Sequence, residues 1–220
     1  MKLKYSLLFI ALLSTTTGAI GATDSTEVNT TPVGAELASA TKGKLAGADK
    51  IHANKPIANE ANACQFDIKF ASKAQQKNQS IQASPTVSMD LTQFIATKVV
   101  ESARIASNVT CQHLIGHTYT GSQQEWAGFI DNGIKGLIKA GVTDINFTKV
   151  GTTDAAYKGT LDNMEYVFTG DNGGNKQVIH NLAVLDKENN QVITLSVSGN
   201  EKVAQEIKDE YQRLVASFKP

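Results

Sequence analysis

The chain has 220 residues, 41% of them hydrophobic and 19% charged, with 21 basic side chains balanced by 21 acidic ones and only two cysteines. Arg104 and Arg213 are its only arginines and the lysines are scattered, so the basic stripe that follows a phosphate backbone is missing and nucleic acid is disfavoured as a partner. No apolar run after the N-terminus approaches the roughly 20 residues of a spanning helix, which argues against stable membrane insertion.

Residues 1–22 read as a secretory signal peptide. Lys2 and Lys4 precede the apolar run Leu7-Leu8-Phe9-Ile10-Ala11-Leu12-Leu13, and small residues surround a cleavage point after Gly21 or Ala22. No cysteine follows that point to carry a lipid, so the expected address is periplasmic or secreted. Removing Lys2 and Lys4 leaves 19 basic against 21 acidic residues, a net charge of about −2.

Residues 23–62 contain no aromatic side chain and are dominated by Ala, Thr, Lys, Gly and Asn, a composition that reads as a flexible arm. Residues 63–220 are expected to form one domain with its own core. In an oxidising compartment Cys64 and Cys111 are expected to form a disulfide, leaving neither thiol as a nucleophile or a metal ligand.

Order is expected to begin near Cys64, where Phe66, Ile68 and Phe70 alternate with Gln65, Asp67 and Lys69 as in a half-buried strand. Ser88, Leu91, Phe94, Ile95, Val99 and Val100 recur at spacings of three and four and predict a helix to about Ala106. Asn108 to Thr120 is ambiguous between a short strand and a loop. Ser122-Gln123-Gln124-Glu125 fits a capping box, and Trp126, Phe129, Ile130, Ile134, Leu137 and Ile138 then form one stripe ended by Gly141.

Strands are predicted over residues 142–150, 164–169, 176–185 and 191–198. The segment Gly170 to Asn175 reads as a turn, and Lys187-Glu188-Asn189-Asn190 as a hairpin loop. A final helix capped by Asn200 carries Val203, Ile207, Tyr211, Leu214, Val215 and Phe218 on its apolar face. These elements make the expected class α+β: a central antiparallel sheet flanked by helices, an α/β/α sandwich.

From Gln123 to Pro220, this order resembles the PsbP-like and DcrB-like α/β/α sandwich domains. The most suggestive stretch is Val192-Ile193-Thr194-Leu195-Ser196-Val197-Ser198, leading into the last helix and its Ser217-Phe218 ending. The resemblance implies a sheet with helices on both faces, used mostly as a small binding or assembly module. It carries no catalytic motif, and fold analogy alone does not assign a function.

No cofactor is implied. Cys111, His113 and His117 lie within seven residues, but Gly116 disfavours the helix that would align the imidazoles and no Glu lies between them, so no metal site is assigned. A Cys–His nucleophile using His113, His117 or His180 lacks a family motif around either cysteine. Asp171-Asn172-Gly173-Gly174-Asn175 lacks the alternating ligands and terminal Glu of a calcium loop.

Trp126 is expected in the core. His113, His117, Tyr119 and Tyr157 are the candidate contacts for a ligand or partner, the two tyrosines as exposed aromatics near loops. The leading expectation is therefore an exported, non-enzymatic binding module that recognises a partner protein or a small ligand outside the cytoplasm, as an envelope assembly factor, an inhibitor or a secreted effector. The competing expectation is a secreted hydrolase or transferase whose site is assembled from distant residues, His113, His117, Asp144 and Glu165.

Overall fold

The computed structural model describes residues 51–52 and 63–220. The predicted signal peptide and nearly all of the predicted arm lie outside these residues. In chain order the elements are β1 (Ile51–His52), β2 (Asp67–Ile68), β3 (Gln75–Ser84), β4 (Val87–Val100), β5 (Ala103–Ile115), α1 (Gln123–Lys139), β6 (Thr143–Lys149), β7 (Asp162–Asn172), β8 (Asn175–Asp186), β9 (Gln191–Asn200) and α2 (Ala204–Ser217).

Strands β3 to β9 form one antiparallel sheet in the order β3-β4-β5-β9-β8-β7-β6, and β1 pairs with β2 separately. The class is α+β, as the sequence predicts.

One prediction is overturned. Residues 88–106 are not a helix but most of the β4–β5 hairpin, which turns at Glu101 and Ser102, both with positive φ, 49° and 67°. The stiff β-branched residues Thr92, Ile95, Thr97, Val99 and Val100 favour extended backbone, and two left-handed residues in succession give the turn whose twist suits a hairpin. The ambiguous segment after Asn108 continues β5 as far as Ile115. The strand β3, with residues such as Gln75, Gln76 and Asn78 exposed, had no hydrophobic alternation to reveal it.

The segment beginning at Cys64 buries Phe66, Ile68 and Phe70 as its alternation predicts. It lies outside the large sheet, pairing instead with β1 and, through Asp67, with Lys219 beyond the end of α2. Cys64 is bonded to Cys111 on β5, tying this segment to the sheet. Gln191 at the start of β9 reinforces the tie: its side-chain carbonyl accepts from the Cys64 amide at 2.6 Å, while its amide nitrogen donates to Asp186 at 2.9 Å.

Helix α1 has the predicted start and stop. Ser122 Oγ accepts from the Glu125 amide at 3.3 Å, and the Glu125 carboxylate reaches back to the amides of Thr120 and Gly121 at 2.9 and 2.7 Å. At the other end Gly141 takes the left-handed conformation, with φ of 84°. Asn200 caps a short 3-10 turn, Glu201–Val203, that leads into α2.

Pleating divides the core. Val178, Leu182 and Val184 of β8, with Ile193, Leu195 and Val197 of β9, pack with Ile207, Tyr211 and Leu214 of α2. The alternate residues Ile179 and Ala183 share a cluster with Leu137 of α1, and Leu185 with Phe129. Trp126 is half-buried at the seam of the α1-side clusters and meets the Phe129 ring edge-on at 5.5 Å.

A polar groove beside the first helix

The α2 face of the three central strands is mainly apolar, with Ser107 and His180 among its polar members, whereas their other face carries a patch of uncharged polar side chains. Alternation alone produces this: Val109 and Cys111 point one way from β5, and Asn108, Thr110 and Gln112 the other. On β9 the opposite set is Thr194, Ser196 and Ser198. Register aligns them, with Asn108 opposite Ser196, Ser196 opposite Asn181 on β8, and Thr110 opposite Thr194.

Helix α1 covers only part of this face. Its flank at Gly133 and Leu137 borders a groove of about 340 Å³ whose floor is the polar patch. Gly133 permits the close approach, because a Cβ there would lie 3.1 Å from the ring of Phe168. Leu91 and Ile95 of β4 give the groove one apolar flank, and Leu137, Phe168 and Ile179 the other. Lys77 is the only charged residue lining the groove among the described residues, and it is exposed on β3. Tyr166 also lines the groove, with its phenol pushed up by burial and therefore neutral.

Part of the floor satisfies itself. Ser196 Oγ donates to Asn181 Oδ1 at 2.7 Å, and Asn181 Nδ2 donates to the Ile179 carbonyl at 3.1 Å. Asn108 Oδ1 and Thr194 Oγ1 are buried without a hydrogen-bond partner among the described residues. Thr194, only 4% exposed, is among the residues that line the groove. A buried polar group left in that state costs free energy that a bound donor or acceptor recovers.

The residues singled out from the sequence lie elsewhere. His113, buried at the end of β5, and His117, exposed in the following loop, border a shallow polar depression with Glu188 and Asn189. Asn190 organises this corner, its Oδ1 accepting from the Tyr119 amide at 2.8 Å and its Nδ2 donating to the His117 carbonyl at 2.8 Å. Tyr119 and Tyr157 are not exposed aromatics: they retain 4% and 8% exposure. Tyr119 packs on Phe129 and Tyr157 on Phe218, so each ring fills a core cluster at the edge of its loop.

The four residues of the dispersed catalytic set do not come together. Asp144 is exposed in β6, whereas Glu165 is buried below α2, accepting from the amides of Ala156 and Tyr157 at 3.0 and 2.7 Å and from Tyr211 at 2.8 Å. Those bonds make Glu165 a structural clamp. No group of three or more His, Cys, Asp or Glu side chains suited to a metal ion occurs among the described residues.

Reading by motif missed the groove because no motif builds it. Its signal in the sequence is the polar half of two alternating strands, Asn108-x-Thr110-x-Gln112 and Thr194-x-Ser196-x-Ser198.

No family model matches the chain, and no curated protein matches it. Among solved structures it is similar to the crystal structure of LpqN, involved in cell envelope biogenesis of Mycobacterium tuberculosis, with 10% identity and a TM-score of 0.39 over 66% of this chain and 92% of that one.

Proposed function

We propose that the protein is an exported, non-enzymatic binding module of the PsbP-like and DcrB-like α/β/α sandwich type, which holds a small ligand in the groove between α1 and the sheet. The observation that carries this reading is the pair of unpartnered buried atoms, Asn108 Oδ1 and Thr194 Oγ1, on the floor of a groove large enough for a small organic molecule. The disulfide supports a working place outside the cytoplasm, in the periplasm or beyond. An envelope assembly factor, an inhibitor and a secreted effector are all settings in which such a module serves.

The test is a screen of small molecules against isotope-labelled protein by nuclear magnetic resonance. Binders are expected to shift the amides of Asn108, Thr194 and Ser196, and Ala106→Phe, which projects a ring from the groove floor, is expected to abolish those shifts while preserving the rest of the spectrum. Binders that act only at other surfaces, or turnover of a substrate that survives Ala106→Phe, overturn the reading.

A further inference from the structure

Resting on the groove as the ligand site, we infer the chemical class of its occupant: an uncharged amphiphile whose head carries a hydrogen-bond donor, a carboxamide or hydroxyl, seated on Asn108 and Thr194. Three observations converge on it. The first concerns donors and acceptors. Asn108 Oδ1 only accepts, so whatever satisfies it brings an N–H or O–H; Thr194 Oγ1 donates or accepts. The two residues sit on adjacent strands in diagonal positions, since Asn108 is opposite Ser196 and Thr194 is two residues from it. A single carboxamide serves both, its N–H given to Asn108 and its carbonyl accepting from Thr194. A carboxylate offers no donor and leaves Asn108 Oδ1 unpaired.

The second is charge. No acidic residue lines the groove among the described residues, and Lys77 stands exposed on β3. A cationic head taken onto the floor would lose its hydration with no carboxylate to replace it, and an anionic one would find its one counter-charge, Lys77, exposed on β3 and not on the floor. The third is shape: Leu91 and Ile95 on one flank and Leu137, Phe168 and Ile179 on the other leave the polar floor between apolar walls, which suits a short alkyl or aryl tail.

The test holds the tail constant and varies the head. Octanamide, octanoate and octylammonium are titrated at pH 7 into the full mature chain, with amide shifts mapping the site and giving each dissociation constant. Octanamide is expected to bind in the groove at least tenfold more tightly than either charged congener. Thr194→Val, which removes the hydroxyl at nearly constant shape, and Asn108→Leu are each expected to weaken octanamide about tenfold, as for one hydrogen bond lost, and Asn108→Leu to leave octanoate unchanged. Groove shifts with a charged congener bound as tightly as octanamide overturn the head-group assignment and leave the groove reading standing. No groove shifts with any of the three, by a wild-type protein whose spectrum is that of a folded chain, overturn both.

Discussion

Tyr211 on α2 donates its phenolic hydrogen to the buried carboxylate of Glu165 on β7 across 2.8 Å, joining the last helix to the sheet through a polar bond inside an apolar layer. Glu165 also accepts from the Ala156 and Tyr157 amides, so one carboxylate fastens a helix, a strand and the loop before it. Burial and the adjacent Glu165 charge push the Tyr211 phenol up, which keeps it a donor. Tyr211→Phe is expected to cost about 1.5–3 kcal/mol, the range for a hydrogen bond to a charged group. Glu165→Leu orphans the Ala156 and Tyr157 amides, while Tyr211 keeps the Asn181 carbonyl at 3.2 Å, and it is expected to cost more than Tyr211→Phe; urea unfolding of the two variants checks the order.

The Cys64–Cys111 bridge closes a loop of 47 residues. Restricting the unfolded chain by that loop is worth about 4 kcal/mol in the chain-entropy treatment. Reduction, or paired Cys→Ser substitution, is expected to lower stability by that order. Phe66 and Ile68 should lose hydrogen-exchange protection before the β8–β9 hairpin does, because the bridge anchors their segment outside the large sheet.

Acid sensitivity has two sources of the same sign. His180 is shifted below its ordinary value of 6.5, first by burial and then by Lys208, with Glu165 opposing. Glu210 is shifted below 4.5: burial alone would raise it, but hydrogen bonds and charge from Arg213 and Lys98 outweigh that effect. In both cases the unfolded chain takes up protons at a higher pH than the fold does. Stability is therefore full above the unfolded value and falls as pH drops through the folded one. His180→Phe, which keeps a ring against Tyr211, is expected to flatten the loss that begins near 6.5, and Glu210→Gln the loss that begins near 4.5; urea midpoints between pH 7 and 3 read both.

The β4–β5 turn is occupied by residues poorly suited to it. Glu101 and Ser102 both have positive φ, where a side chain costs about 1–2 kcal/mol unless it is Gly, Asn or Asp. Replacing the pair by Asn-Gly is expected to raise stability by roughly 1 kcal/mol and to leave groove binding unchanged. The midpoint of thermal unfolding, with a titration of the groove, checks both halves.

Thr194→Val should separate stability from binding. The hydroxyl has no partner within the described residues, so replacing it by a methyl is expected to leave stability unchanged or raise it by up to about 1 kcal/mol. A buried polar group retained solely for the fold would give the opposite sign in the same urea titration.

Much of the second half of the domain was legible in the sequence because its local signals agree with its tertiary use. The capping box at Ser122, the left-handed Gly141, the Gly173-Gly174 turn and the alternation of Ile193, Leu195 and Val197 each name one conformation, and the chain adopts it. Residues 88–106 imitate helical spacing because a double-sided strand has apolar residues on both faces: Met89 and Leu91 face one way, and Phe94 and Ala96 the other.

Local residue pattern accounts for the pairing of the two cysteines, the α+β class, the start and end of α1, and the alternation of the last strands. It could not determine which side of the sheet the polar set of β5 and β9 would meet, because alternation specifies two faces without saying what covers either. The packing of distant segments places α2 on the face of Val109, Ile193 and Leu195, while α1, close to Phe168 at Gly133, borders the groove that Asn108 and Thr194 line. A groove is made by incomplete coverage, and coverage depends on the placement of distant segments.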